Sequence, residues 1–157
     1  MEPTIILERR VAGLNQRMLA AFVAQASREV GLAGAVTVMV TGGREMRRLN
    51  FRFRGQDQST DVLSFPAPGF VNGFAGDIAI CLDVAARNAR TLKHSIAEEV
   101  RVLILHGILH LAGYDHEGDR GEMAKTEDDL RKRLALSSGL IKRNMVKRRM
   151  RSPRSRT

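Results

Sequence analysis

The chain has 157 residues, 43% hydrophobic and 27% charged, with a formal net charge of +9. That length suits one domain with a buried core. No apolar stretch approaches the ~20 residues that a membrane-crossing helix needs. The single cysteine, Cys81, excludes an internal disulfide framework and suits a reducing compartment. With no Trp and one Tyr, the core is expected to be aliphatic with a few Phe. The start, MEPTIILERR, lacks a basic region followed by a long apolar run, so no signal peptide is expected.

In chain order, residues 4–10 (TIILERR) read as a short strand. Asn15 to Val30 reads as an amphipathic helix stopped by Gly31. Val36 to Val40, β-branched and short, is a strand. Thr41 can cap a short helix through Met46 and Leu49. Around it Arg44, Arg47, Arg48, Arg52 and Arg54 crowd a segment with one acid, Glu45. Asp61 to Phe65 reads as a strand ended by Pro66. Residues 66–75 form a Pro/Gly-rich loop, Asp77 to Leu82 a strand and Val84 to Leu92 a helix. Ser95-Ile-Ala-Glu98 is a capping box. The helix it opens is apolar almost all round, which predicts a buried central helix ended at Gly113. Asp119 to Glu122 makes a second capping box. The helix behind it carries acids early (Glu122, Glu127, Asp128, Asp129) and bases late (Arg131, Lys132, Arg133), matching the helix dipole. The expected fold is α+β: a single domain over residues 1–140, with a small mixed sheet of about four strands packed with helices.

The excess charge is uneven. Residues 141–157 hold eight Lys or Arg and no acid, which leaves 18 bases against 17 acids in the rest. This tail is expected to be disordered and is either a solvated segment or a contact for RNA or the ribosome.

Three of the four histidines fall within HGILHLAGYDH, at the spacing H-x3-H-x2-G-x2-H. His106 and His110, four apart, share one helix face. Gly113 lets the chain turn back and bring His116 to the same point. Three imidazoles with an open fourth position suit catalytic zinc, with nickel or copper as alternatives. The spacing is that of metzincin proteases, but Gly107 stands where these carry a catalytic glutamate. That glycine either clears space beside the metal or serves close helix packing. A metal that activates water, together with arginine, suits phosphodiester cleavage.

HGILHLAGYDH resembles the signature of the YbeY-type endoribonucleases, the rRNA maturation factors. LNFRFRGQDQSTDVLSFP and GDIAI resemble two further segments of that family, and the likeness spans about residues 5–137. The resemblance implies a bacterial, cytoplasmic, metal-dependent single-strand endoribonuclease. It further implies maturation of the 3′ end of 16S rRNA and ribosome quality control, with single-stranded rRNA, the small ribosomal subunit and its assembly factors as partners. It places His106, His110 and His116 as ligands of one zinc ion and Arg54 as the arginine that engages RNA. Thr60, Asp61 and Ser64 fall in the motif beside it, with Asp61 either orienting Arg54 or capping a turn. Ser59 departs from the proline of many relatives, and the basic tail exceeds what the family core requires. Asp115 either caps the turn before His116 or orients a histidine. Tyr114 and Cys81 are expected to pack, and His94 to lie on the surface. Two other readings stay open: a metal-stabilised ribosome-assembly protein without activity, and a metzincin-like protease.

Overall fold

The structure, a computed structural model, describes residues 2–69, 72–114 and 120–136. Its elements follow the expected order: β1 (Thr4–Leu7), α1 (Gln16–Val30), β2 (Ala35–Thr41), α2 (Gly43–Arg54), β3 (Val62–Pro66), β4 (Phe74–Cys81), α3 (Leu82–Leu92), α4 (Ile96–Leu111) and α5 (Glu122–Arg133). The four strands form one mixed sheet in the order β1-β2-β4-β3. β1 and β4 run parallel to β2, and β3 closes one edge antiparallel to β4. The expected basic tail lies outside the described residues.

The central helix is α4. Ser95 caps it by accepting a hydrogen bond from Glu98 N at 3.0 Å, and eleven of its sixteen residues are buried. It packs on the sheet face formed by Ile78, Ile80, Val36, Val38 and Val40, with α1 and α3 beside it. The opposite face carries α2 over a smaller cluster of Met46, Leu63, Ala79 and Cys81. Alternate β4 residues thus serve the two layers, as the strand period of two requires. The buried core is more strictly aliphatic than composition suggests. No phenylalanine is among the buried residues described, whereas Phe51 and Phe53 are more than half exposed.

Several boundaries differ from those read in the sequence. Thr41 is the last residue of β2, and its hydroxyl donates to Glu8 at 3.0 Å rather than capping α2. Gly42 precedes that helix without a side-chain cap; Asp83, from α3, accepts Gly43 N at 2.7 Å instead. Pro66 is the last strand residue of β3 rather than its terminator, a position open to proline on an edge strand. Helix α5 starts at Glu122 behind Gly121, so Glu122 is its first residue and not the third position of a capping box. Asp119 lies outside the described residues.

His94 corrects a further expectation. Its side chain is 9% exposed, and its Nε2 lies 2.8 Å from Oε1 of fully buried Glu99. Asn88 Nδ2 donates to the same carboxylate at 3.3 Å. A histidine next to a helix cap looks superficial in sequence, but here it follows Lys93, whose left-handed backbone turns the chain inward.

One close approach fixes the sheet against α4. Gly76, at φ +148°, sits where a Cβ would fall 2.5 Å from Phe65 O and 2.7 Å from Leu111 Cδ2. A methyl group there must push apart β3, β4 and the last turn of α4. Gly76→Ala should therefore destabilise the fold by about 1–3 kcal/mol, read as a lower urea midpoint with an unchanged slope; an unchanged midpoint would show that the contact relaxes freely.

Candidate nucleolytic site at the end of the central helix

His106 and His110 occupy the last two turns of α4, one turn apart on one face. Their rings lie 4.6 Å apart between centroids at an interplanar angle of 76°, and the two Nε2 atoms are 3.0 Å apart. The edge of a tetrahedral site with metal–nitrogen distances of 2.0–2.1 Å is about 3.3 Å. The pair thus presents two nitrogens at nearly the separation that one zinc-sized ion requires. Among the described residues no group of three metal-ligating side chains converges; His116 and Asp115 lie outside them. Tyr114 packs against the main core.

The tautomer of His106 is set from behind. Its Nδ1 lies 2.9 Å from Oε2 of Glu127, and both side chains are buried. With Nδ1–H donated to that carboxylate, the lone pair of Nε2 points to His110. A carboxylate behind a histidine is a common support for a metal ligand. Glu127 comes from α5, whose buried stripe is Met123, Glu127 and Leu130. Sequence reasoning took Glu127 only as a dipole-matching acid. The missed signal was its position: the one charged residue in the apolar stripe of a polar helix.

Gly107 faces the sheet. A Cβ there would lie 3.0 Å from two carbons of Ile78 and 3.1 Å from Ser64 Oγ. The space it leaves is filled by the sheet, so close packing, not room beside a metal, explains it. The same crowding leaves no place for a protease's glutamate. Ser64 Oγ donates to Gly107 O at 3.4 Å and ties β3 to α4.

Arg54 ends α2, with Gly55 in the left-handed conformation behind it. Its side chain is exposed and makes no ion pair among the described residues. Neighbouring contacts place this end of α2. The Phe53 ring meets Phe65 at 5.1 Å, and Gly76, paired with Pro66, touches Leu111. The C-terminal turns of α2 and α4 therefore reach the same end of β3, on opposite faces of the sheet. Around the edge strand is the route between Arg54 and the histidines.

Thr60 and Asp61 are at the other end of β3, roughly 10 Å along the strand from Ser64. Asp61 Oδ1 accepts from Val62 N at 2.8 Å and from Thr60 Oγ1 at 3.4 Å, so its contacts are those of a turn. It makes no hydrogen bond or ion pair with Arg54. Their loop folds back along α2, held by the bidentate Arg47–Asp57 pair and by Asn50 Nδ2 donating to Gln58 O at 2.8 Å. Arg47 holds the Asp57 carboxyl below its ordinary value, and Arg48 does the same to Glu45. On β4, partial burial raises the Asp77 carboxyl. Cys81 is buried under α2.

Comparison with known proteins bears on the whole arrangement. The family model described as "Endoribonuclease YbeY" matches residues 4–135. A relative of that name from Koribacter versatilis is 52% identical over 139 residues, covering 88% of this chain and 90% of its own. One from Solibacter usitatus is 42% identical over 142 residues, covering 89% and 93%. A solution structure of a Thermotoga maritima protein superposes with a TM-score of 0.55 at 32% identity, covering 81% of this chain and 85% of that one. With its matching motifs and fold, this chain belongs to the Endoribonuclease YbeY family.

Proposed function

We propose that the protein is a metal-dependent endoribonuclease specific for single strands, acting in maturation of the 3′ end of 16S rRNA and in ribosome quality control. The observation that carries this reading is the histidine pair: two imidazole nitrogens 3.0 Å apart, one keyed by a buried glutamate. Relatives that cover most of this chain bear the name of an endoribonuclease. Among the described residues no helix is long and apolar enough to cross a membrane.

His106 and His110, with His116 as the third ligand, would hold one zinc ion, or nickel or copper in its place. Such an ion supplies Lewis acidity towards water and phosphate oxygen. The protein's own groups supply the rest. Glu127 holds the Nδ1 proton of His106, so that the Nε2 lone pair stays available. Arg54, a guanidinium without an ion pair among the described residues and on an exposed helix end, binds non-bridging phosphate oxygens, for which its planar fork is suited. The wall formed by β3 and α4 is tied at Ser64 and keeps these groups in register. Thr60 and Asp61 shape the loop that returns the chain to β3, and their part in substrate binding is indirect.

The deciding experiment uses a labelled single strand from the 3′ end of precursor small-subunit rRNA. His110→Ala, purified in parallel with the unaltered protein, should lower cleavage on the order of 1,000-fold, the several kcal/mol that a Lewis acid contributes; equal cleavage by both would assign the activity to a contaminant. Arg54→Ala should keep its zinc content and lose about 100-fold in cleavage, as for removal of one donor to a developing oxyanion. Full activity with full zinc would take Arg54 out of the mechanism. Glu127→Gln should weaken zinc binding about 10–100-fold, measured by competition with a chromophoric chelator, and an unchanged affinity would reduce Glu127 to a packing residue.

A further inference from the structure

The outward face of α2 is basic, apart from Phe51 and, at its margin, Glu45. At roughly 100° per residue, Met46, Leu49, Asn50 and Phe53 fall on the arc turned to the sheet, and Met46 and Asn50 are buried there. Arg44, Arg47, Arg48, Arg52 and Arg54 fall on the opposite arc. Phe51 lies in the middle of that basic arc, 59% exposed. Arg47 and Arg48 stand one turn before it and Arg54 nearly one turn after it. Among the described residues this ring belongs to neither hydrophobic cluster and meets no other aromatic ring. Neither cluster accounts for an exposed phenyl ring among guanidinium groups.

The charges around Phe51 are of two kinds. Arg47 and Arg48 are each held by a carboxylate, Asp57 and Glu45. Arg44, Arg52 and Arg54 have no acidic partner among the described residues. The face therefore joins uncompensated cations to a flat apolar ring. That combination fits a polyanion with exposed π-faces. A membrane surface would favour a longer apolar stripe than one ring, and an acidic protein segment has no need of the phenyl face.

We propose that this face of α2 is a stacking platform for single-stranded RNA: an unpaired base lies on Phe51, and the flanking phosphates contact Arg44, Arg52 and Arg54. The platform rests on the reading of the protein as a ribonuclease and adds to it a site of strand discrimination outside the histidine pair. A base in a duplex has its faces covered by its neighbours and has none to offer, whereas a single strand does. Because the C-terminal turn of α2 lies at the same end of β3 as that of α4, a strand seated on Phe51 passes Arg54 on its way around the sheet edge to the histidines.

The chain contains no tryptophan, so the full-length F51W protein carries a single reporter at the platform. Titration with single-stranded oligoadenylate should quench its emission, and a duplex of the same sequence should not. The M18W protein, labelled at an exposed position on α1, should show no quenching with either. In anisotropy, F51A should bind the single strand about tenfold more weakly, the loss expected for one stacked base, with an unchanged slope of affinity against salt. By contrast, R52Q should reduce that slope by about one.

Binding of RNA without quenching in F51W, or equal quenching by single strand and duplex, would overturn the platform and leave the cleavage reading intact. Undiminished binding by F51A would do the same. Quenching and weakened F51A binding in a protein that cleaves nothing would support the platform and overturn the ribonuclease reading alone.

Discussion

The approach of α4 to the sheet at Gly107 sets everything else in place. A helix apolar almost all round has to be covered almost all round, and α4 is covered by the sheet, α1, α3 and α5. Only at Gly107 does the absence of a side chain let the helix come close enough for Ser64 to hydrogen-bond its backbone. That contact fixes the last two turns of the helix relative to β3. The two histidines therefore emerge at a defined height beside the sheet edge. Glycine in a helix interior costs roughly 1 kcal/mol relative to alanine; here the loss is offset by apolar packing that a Cβ would hold apart.

The second constraint is the use of buried carboxylates as supports. Glu99 and Glu127 are both fully or almost fully buried, and each lies within hydrogen-bond distance of a histidine ring. Burying a carboxylate is costly unless hydrogen bonds satisfy it. The two pairs differ in what they hold. The His94–Glu99 pair, with Asn88, closes the corner between α3 and α4 away from the histidine site. The Glu127–His106 pair joins α5 to the end of α4, so docking of α5 and orientation of a candidate metal ligand are one event.

The order and type of all nine described elements were legible in the sequence, because each has a strong local signal. The continuous apolar run behind Ser95 fixes α4, and the β-branched run at 36–40 fixes β2. What was less legible depends on partners distant in sequence. Thr41 looked like a cap because only the strand pairing with β4 reveals it as sheet. His94 looked superficial because the carboxylate that draws it inward lies on the next helix. Gly107 was open to two readings until Ile78 and Ser64 were seen to fill the space beside it. At the site, the spacing of His106 and His110 was fully readable, whereas Glu127 was not, since its partner comes from another element. Phe51 and Glu127 share a feature: each breaks the polarity of the helix face on which it sits, which a count of helix propensity passes over.

The edge position of β3 has a consequence for solubility. An edge strand presents unpaired backbone groups that invite pairing with another copy of the chain. This one spans five residues and ends in Pro66, which has no N–H to offer. It is flanked by an exposed, strongly cationic helix end at Arg52 and Arg54. Brevity, proline and like-charge repulsion between copies all oppose edge-to-edge aggregation. The described rim thus carries its own guard against edge pairing in its length, its last residue and its charge.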